Sequence, residues 1–298
     1  LTGVSNSGTV SAQTVLLYGN AASGMMSSVV NNSGIIEATN LTIQSADIVQ
    51  GNIIKGVGTA AATKASLEAS NSITTTSNSS TRATTLTLSV SDEGATLGSA
   101  TEAVHFDADV LNATTAGGGA WLTDVSGGVA LETVKAGTGA TAATGGNVVI
   151  TAQNGSITST DPSKVNVLGA SAQLIADGSV GTDSTAIHTQ VGTLSASTQN
   201  GGIHIQNDGA LTLLDVIARE QITVNNLPTS SAAVDNSGSI TLSNGSTGTK
   251  NVTIRASEDI TLTDTVSATN TLAITSDSGS IQAGQVGTNL VGRTLNLS

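Results

Sequence analysis

The sequence predicts an all-β chain wound as a parallel solenoid, and three observations carry that reading. Short apolar-x-apolar strands recur throughout the chain, separated by Gly, Asn and Asp turns. Equivalent segments repeat at fixed offsets. Aromatic residues make up only 1% of the 298 residues, with one Tyr (Tyr18), one Phe (Phe106) and one Trp (Trp121).

The aromatic scarcity bears on the core. Wide layered cores draw bulk from Phe, Tyr and Trp, each of which buries a large area. A chain with 38% hydrophobic residues and almost none of these must fill its interior with Ala, Val, Ile and Leu. That suits a thin, elongated interior. Disorder is excluded by the same numbers, because charged residues are only 10% and there are 2 Pro. Ser, Thr and Asn, at 38, 46 and 22, together exceed a third of the chain. They suit turns and outward rows of a stacked coil.

The repeats appear first near the N-terminus, where residues 8–17 (GTVSAQTVLL) align with residues 34–43 (GIIEATNLTI). Asn-Ser precedes both, as Asn6-Ser7 and Asn32-Ser33. A longer match joins residues 104–124 to residues 187–207 without a gap. It pairs Val104 with Ile187, His105 with His188, Leu111 with Leu194, Gly118-Gly119 with Gly201-Gly202, and Leu122 with Ile205. Near the C-terminus Val252-Thr253-Ile254 recurs as Leu272-Ala273-Ile274. Coils of about 20 residues follow, stacking like on like with side-chain ladders between them. With about 12–15 coils at ~4.8 Å each the rod would reach roughly 60–70 Å.

One continuous solenoid over residues 1–298 is expected, interrupted twice. Residues 58–81, an Ala/Lys/Glu stretch followed by Ser and Thr, read as a short helix or extruded loop. Residues 225–237, around Leu227-Pro228, read as a polar loop.

The N-x-G-x-[IV]-x-A-x-x-[LV]-x-[LI] pattern at 6–17 and 32–43 resembles the repeats of filamentous haemagglutinin-like exoproteins, large secreted adhesins of Gram-negative bacteria. So does the run from Ala103 to Ile157, with AGGGAWLTDVSGGVAL followed by GGNVVITAQNGSI. The resemblance implies a right-handed parallel β-helix, a secreted or cell-surface location, and adhesion.

Charge narrows the partners. Nine Lys+Arg against 21 Asp+Glu give a net charge of −12. Nucleic acid is therefore not expected, since phosphate binding needs clustered basic residues. No apolar run of about 18 residues marks a membrane span. Without Cys there are no disulfides or thiolate metal sites. The chain opens at Leu1, which reads as a piece of something longer.

Catalytic and metal-binding motifs are not found, and no cofactor is expected. The three His, His105, His188 and His204, lack the spacing of a metal motif. His105 and His188, matched in the repeat, are expected to share one structural environment. His204 lies between Ile203 and Ile205, so alternation points it outward. Asp107 and Asp109 share a strand face and read as a solvated acidic edge rather than a Ca²⁺ or acid/base pair. The Gly-rich runs lack the Gly-Lys-Ser/Thr ending of a phosphate loop. Trp121 aligns with His204, points outward, and is the one candidate for surface contact, on a sugar ring for instance.

The function expected is a structural and adhesive rod, a segment or subunit of a secreted bacterial surface adhesin or extracellular filament without catalytic activity. Its partners would be surface glycans or proteins of host or neighbouring cells, or copies of itself end to end. The alternative is a polysaccharide-acting β-helix enzyme, a lyase or glycosidase.

Overall fold

A computed structural model describes residues 3–19, 29–56, 61–76, 79–137, 145–220, 222–226, 234–236, 240–242, 251–262, 266–268, 270–283 and 290–298. Among them are 29 strands, from β1 (Gly3–Asn6) to β29 (Thr294–Leu297), and no helix. The strand pairs are parallel, from the first pair, Gly3↔Val29, to the last, Ile274↔Leu297. The chain is a β-solenoid of about 10 turns.

The alternation in the sequence places one residue in two inside. The ladder Val15, Leu41, Ala65, Leu86, Leu111, Leu131 climbs one face. On another face the ladder Val4, Val30, Ile48, Ile73, Leu97, Ala120, Val148, Ala172, Leu194, Leu213 is aliphatic at every step. Burying a Val, Leu or Ile contributes about 1.5–3 kcal/mol. Alternation of Leu or Ile with Ala along a ladder lets neighbouring coils interdigitate in a narrow cross-section. Phe106 is the one aromatic among the fully buried side chains.

Corners carry polar ladders that satisfy the turning backbone. Asn6, Asn32, Gln50 and Thr75 stack in register, and Asn6 Nδ2 donates to Asn32 Oδ1 at 2.9 Å. Inside, Thr81 Oγ1 donates to Gln50 Oε1 at 2.8 Å. Such partners make buried polar groups tolerable, although Asn32 Nδ2 is left without one.

Coils average about 24 residues, close to the expected 20. One expectation needs correcting. The segment 58–81 is mostly neither helix nor loop. Ala62–Thr75 forms the 14-residue β6 and Thr81 opens β7 (Thr81–Val90). Despite its helix-favouring composition, Ala65, Leu67, Ala69 and Ile73 face the core. Lys64 and Glu68 face out, where Glu68 accepts from Gln44 Nε2 at 2.6 Å. Residues 58–60 and 77–78 of that segment lie outside the described residues. In the second segment, Asn225 and Asn226 close β20 (Ile222–Asn226), and Val234–Asn236 is β21. Residues 227–233 and 237 lie outside the described residues.

The loops that leave the coil are elsewhere. Leu97 sits on Ala120 and Val104 sits on Leu122, so residues 98–103 have no place in the ladder and are extruded. Val180 bridges to Ile203 and Ile187 pairs with Ile205, so residues 181–186 are extruded in the same manner. The 83-residue repeat found in sequence therefore begins earlier, at Gly98 and Gly181. At about 24 residues per coil, 83 residues is about three and a half turns, so the two copies lie on different faces. Val104 belongs to the ladder Leu122, Ile150, Leu174, Ala196, Val216. Ile187 belongs to the ladder Ile205, Val224, Ile254, Ile274.

Candidate interaction surfaces

The loops 98–103 and 181–186 are closed by their own backbone. Ser99 N–H donates to Glu102 O at 2.8 Å, and Glu102 N–H donates back at 3.2 Å. Thr182 and Thr185 exchange the same pair at 3.0 and 3.2 Å. Each loop starts on a left-handed glycine, Gly98 at φ 66° and Gly181 at φ 68°. Such a turn admits glycine at little cost.

Each loop leaves the coil at the register position of an outward residue of the next coil, Trp121 for the first and His204 for the second. Trp121 is framed by Ala120 and Leu122, both 0% exposed, and His204 by Ile203 and Ile205, also 0%. Alternation thus placed both side chains on the outer side correctly. It did not see the cover. His204 is only 8% exposed, and its Nδ1 lies 2.9 Å from Asp183 Oδ1 in the loop above. Burial holds the imidazole below its usual range, while the Asp183 charge pulls the other way. Trp121 is half-buried, with its ring over the Cα of Gly119: a Cβ there would meet Trp121 Cη2 at 2.5 Å.

His105 and His188 occupy matching positions but not matching surroundings. His105 Nδ1 lies 3.3 Å from Thr76 O. His188 is 8% exposed, with Nε2 2.9 Å from Asp208 Oδ2 and its N–H on Asn166 Oδ1 at 3.1 Å. The difference is in the partners: Asp208 and Asp183 correspond to Val125 and Ala100 in the first copy. Two His–Asp pairs therefore exist only in the second copy, a contrast legible in the aligned sequence.

Asp109 is exposed, and Asp107 accepts an ion pair from Arg82 Nε at 3.1 Å. Partial burial raises the Asp107 carboxyl, Arg82 opposes this, and Asp109 adds to it. Sequence reasoning passed over Asp124, which is 0% exposed at a corner. Burial pushes its carboxyl up to about 7, against the backbone amides of Ser126, Gly128 and Ala108, and with a further push from Asp107. No group of three or more His, Cys, Asp or Glu among the described residues is placed to hold a metal.

One long face is polar and regular. The outward row Thr42, Ser66, Thr87, Asn112, Thr133 runs in register up five coils. Beside it, Asn112 Nδ2 donates to Glu132 Oε2 at 2.5 Å and Ser66 Oγ to Glu68 Oε1 at 2.8 Å. The row places a hydroxyl or amide at every coil step, about 4.8 Å apart.

The fold and these surfaces define the protein as a parallel β-solenoid with polar outer rows and extruded loops. No protein-family model, curated protein or solved structure matches the chain.

Proposed function

We propose that this solenoid is a structural and adhesive rod without catalytic activity, a segment or subunit of a secreted bacterial surface adhesin or extracellular filament. The observation that carries the reading is the in-register row Thr42, Ser66, Thr87, Asn112, Thr133. Identical spacing of weak polar contacts along a stiff rod suits multivalent attachment to surface glycans or proteins, where linked weak sites gain avidity. The net charge of −12 favours solubility of such a rod. The right-handed winding and the export that the haemagglutinin-like resemblance implies belong to the same reading.

The alternative, a polysaccharide lyase or glycosidase, draws on Asp124, an acid titrating near 7 that senses the Asp107 charge. A general acid must reach its substrate, however, and Asp124 is 0% exposed. Its corner role is structural.

Beads coated with the chain should adhere to bacterial or epithelial cells, and a Thr42→Ala/Thr87→Ala/Thr133→Ala variant should adhere several-fold less. The same protein should leave a polysaccharide panel intact. Turnover abolished by Asp107→Asn or Asp124→Asn would reverse the assignment in favour of the enzyme.

A further inference from the structure

The outward faces of three successive coils form a slot. Its floor is β17 (Thr193–Thr198), whose outward residues Ser195 and Ser197 are short. One wall is β15 (Ser171–Ala176), with Gln173 on Ser195 and Ile175 on Ser197. The other is β19 (Leu211–Ala218), with Ile217 on Ser197. A β-bulge shapes this second wall. Leu194 pairs with Leu213 and Ala196 with Val216, so Ser195 faces both Leu214 and Asp215. The extra residue throws both side chains outward, as bulges do. Leu214 and Ile217 are 41% and 38% exposed, and the slot encloses about 340 Å³.

We propose that this slot binds a neutral pyranose unit of a glycan. The proposal names the ligand class for the adhesive reading above and rests on it. Wall strands two coil steps apart are about 9.6 Å from backbone to backbone. Side chains on both walls narrow that to the thickness of one sugar ring inserted edge-on. Ile175 on one side and Leu214 and Ile217 on the other present aliphatic surface to the two C–H faces of the ring. The hydroxyls of Ser195 and Ser197, the Gln173 amide and the Asp215 carboxylate line the edges, where the ring carries its hydroxyls. An apolar cleft with a few convergent polar groups is the usual form of a small-ligand site. Asp215 and the net charge of −12 select against sialylated or sulfated sugars. An extended peptide is disfavoured, because the backbones of β15, β17 and β19 are already committed to the coil-to-coil ladder outside the bulge. Strand addition needs a free edge.

The test is methyl NMR of the full chain titrated with methyl glycosides of glucose, galactose, mannose and N-acetylglucosamine up to about 20 mM, a range that detects weak sites. Sialic acid and a Ser/Ala-rich peptide serve as comparison ligands. At least one neutral glycoside should shift the Ile175, Leu214 and Ile217 methyls saturably. Ser197→Trp, which fills the slot, should abolish the shifts. Asp215→Asn should weaken binding about tenfold, and Glu93→Trp, on an exposed turn, should not, with thermal melts showing each variant folded. Absence of saturable shifts with every neutral glycoside, tighter binding of sialic acid or peptide, or unchanged binding by Ser197→Trp overturns the proposal. If Ser197→Trp beads adhere to cells as well as the parent and no glycoside binds the slot, the slot falls while the adhesive rod stands. Glycoside binding in the slot without cell adhesion gives the converse.

Discussion

Asp124 and Asn207 fill equivalent inward corners in two copies of one repeat, an acid in the first and an amide in the second. Both are 0% exposed. Asn207 Oδ1 accepts from Thr189 Oγ1 at 2.8 Å and Val191 N–H at 3.1 Å, and its Nδ2 donates to Gly209 O at 3.3 Å. The corresponding backbone amide in the first copy, that of Ala108, is among those that stabilise the Asp124 carboxylate. The hydroxyl is missing, because Phe106 stands where the second copy has Thr189. An amide meets the needs of this corner without a charge, and an ionised carboxyl does not.

Asp124→Asn should therefore stabilise the fold at neutral and alkaline pH. The folded carboxyl titrates near 7 against 3.8 for an unperturbed one, so its protonated form is the one the fold prefers. That preference is fully satisfied below about pH 4 and is lost as pH rises through 7. Ionisation at pH 8 costs nominally about 4 kcal/mol. Part of it returns through the desolvation of the new amide, leaving an expected gain of about 1–3 kcal/mol. Denaturant titrations at pH 4 and pH 8 check this: the variant should gain at pH 8 and match the parent at pH 4. An equal effect at both values would remove the charge argument.

His204 supplies a pH response of opposite sign. Burial under the loop depresses its pKa below 6.5, so the fold favours neutral imidazole. Stability from this site is present above 6.5 and is lost as pH falls through the folded value. Asp183, 2.9 Å from Nδ1, offsets part of the depression. In a proton NMR titration, with the His204 resonance assigned by comparison with His204→Gln, the ring should titrate below 6.5. Asp183→Asn should move it lower still. A midpoint above 6.5 in the parent would show that the ion pair, not burial, dominates.

The sequence made some of this legible and hid the rest for physical reasons. Alternation identified the inward ladders, since a period of two is a property of each strand alone. It also placed Trp121 and His204 on the outer side. It could not show that His204 is covered, because the cover is a loop whose position depends on which coils stack. Yet the signal was within reach: extending the 83-residue match upstream aligns Gly98 with Gly181 and Ala103 with Ala186. Residues 62–75 were misread because Ala, Lys and Glu favour a helix, and ladder packing overrode that propensity. The slot beside Ser195 was not legible, since it needs the register of three coils and the bulge at Leu214 and Asp215.

Gly181 should be irreplaceable, for two separable reasons. Its φ of 68° disfavours any L side chain, and a Cβ there would collide with His204 O. Gly94, at φ 77°, meets nothing within 4 Å, so it isolates the conformational cost alone. Gly94→Ala should cost about 1 kcal/mol. Gly181→Ala should cost about 2–4 kcal/mol, adding strain and displacement of the loop. Denaturant titration measures both, and proteolysis within 181–186 should accelerate only in Gly181→Ala. Equal losses would mean that the loop shifts away freely.

Trp121 is the chain's one tryptophan, so its fluorescence reports a single site. Its ring lies over Gly119, and a methyl group there would meet Cη2 and Cζ3 at 2.5 and 2.6 Å. Those atoms end a side chain that can rotate, so the chain can accommodate Gly119→Ala by swinging the ring away from the strand. The emission maximum should shift to the red and acrylamide quenching should increase. The stability loss should stay near 1 kcal/mol, because only a half-buried contact is given up. If Trp121 contacts a partner surface from its outer position, the same variant should also alter adhesion of coated beads. An unshifted spectrum would place the ring elsewhere than on Gly119.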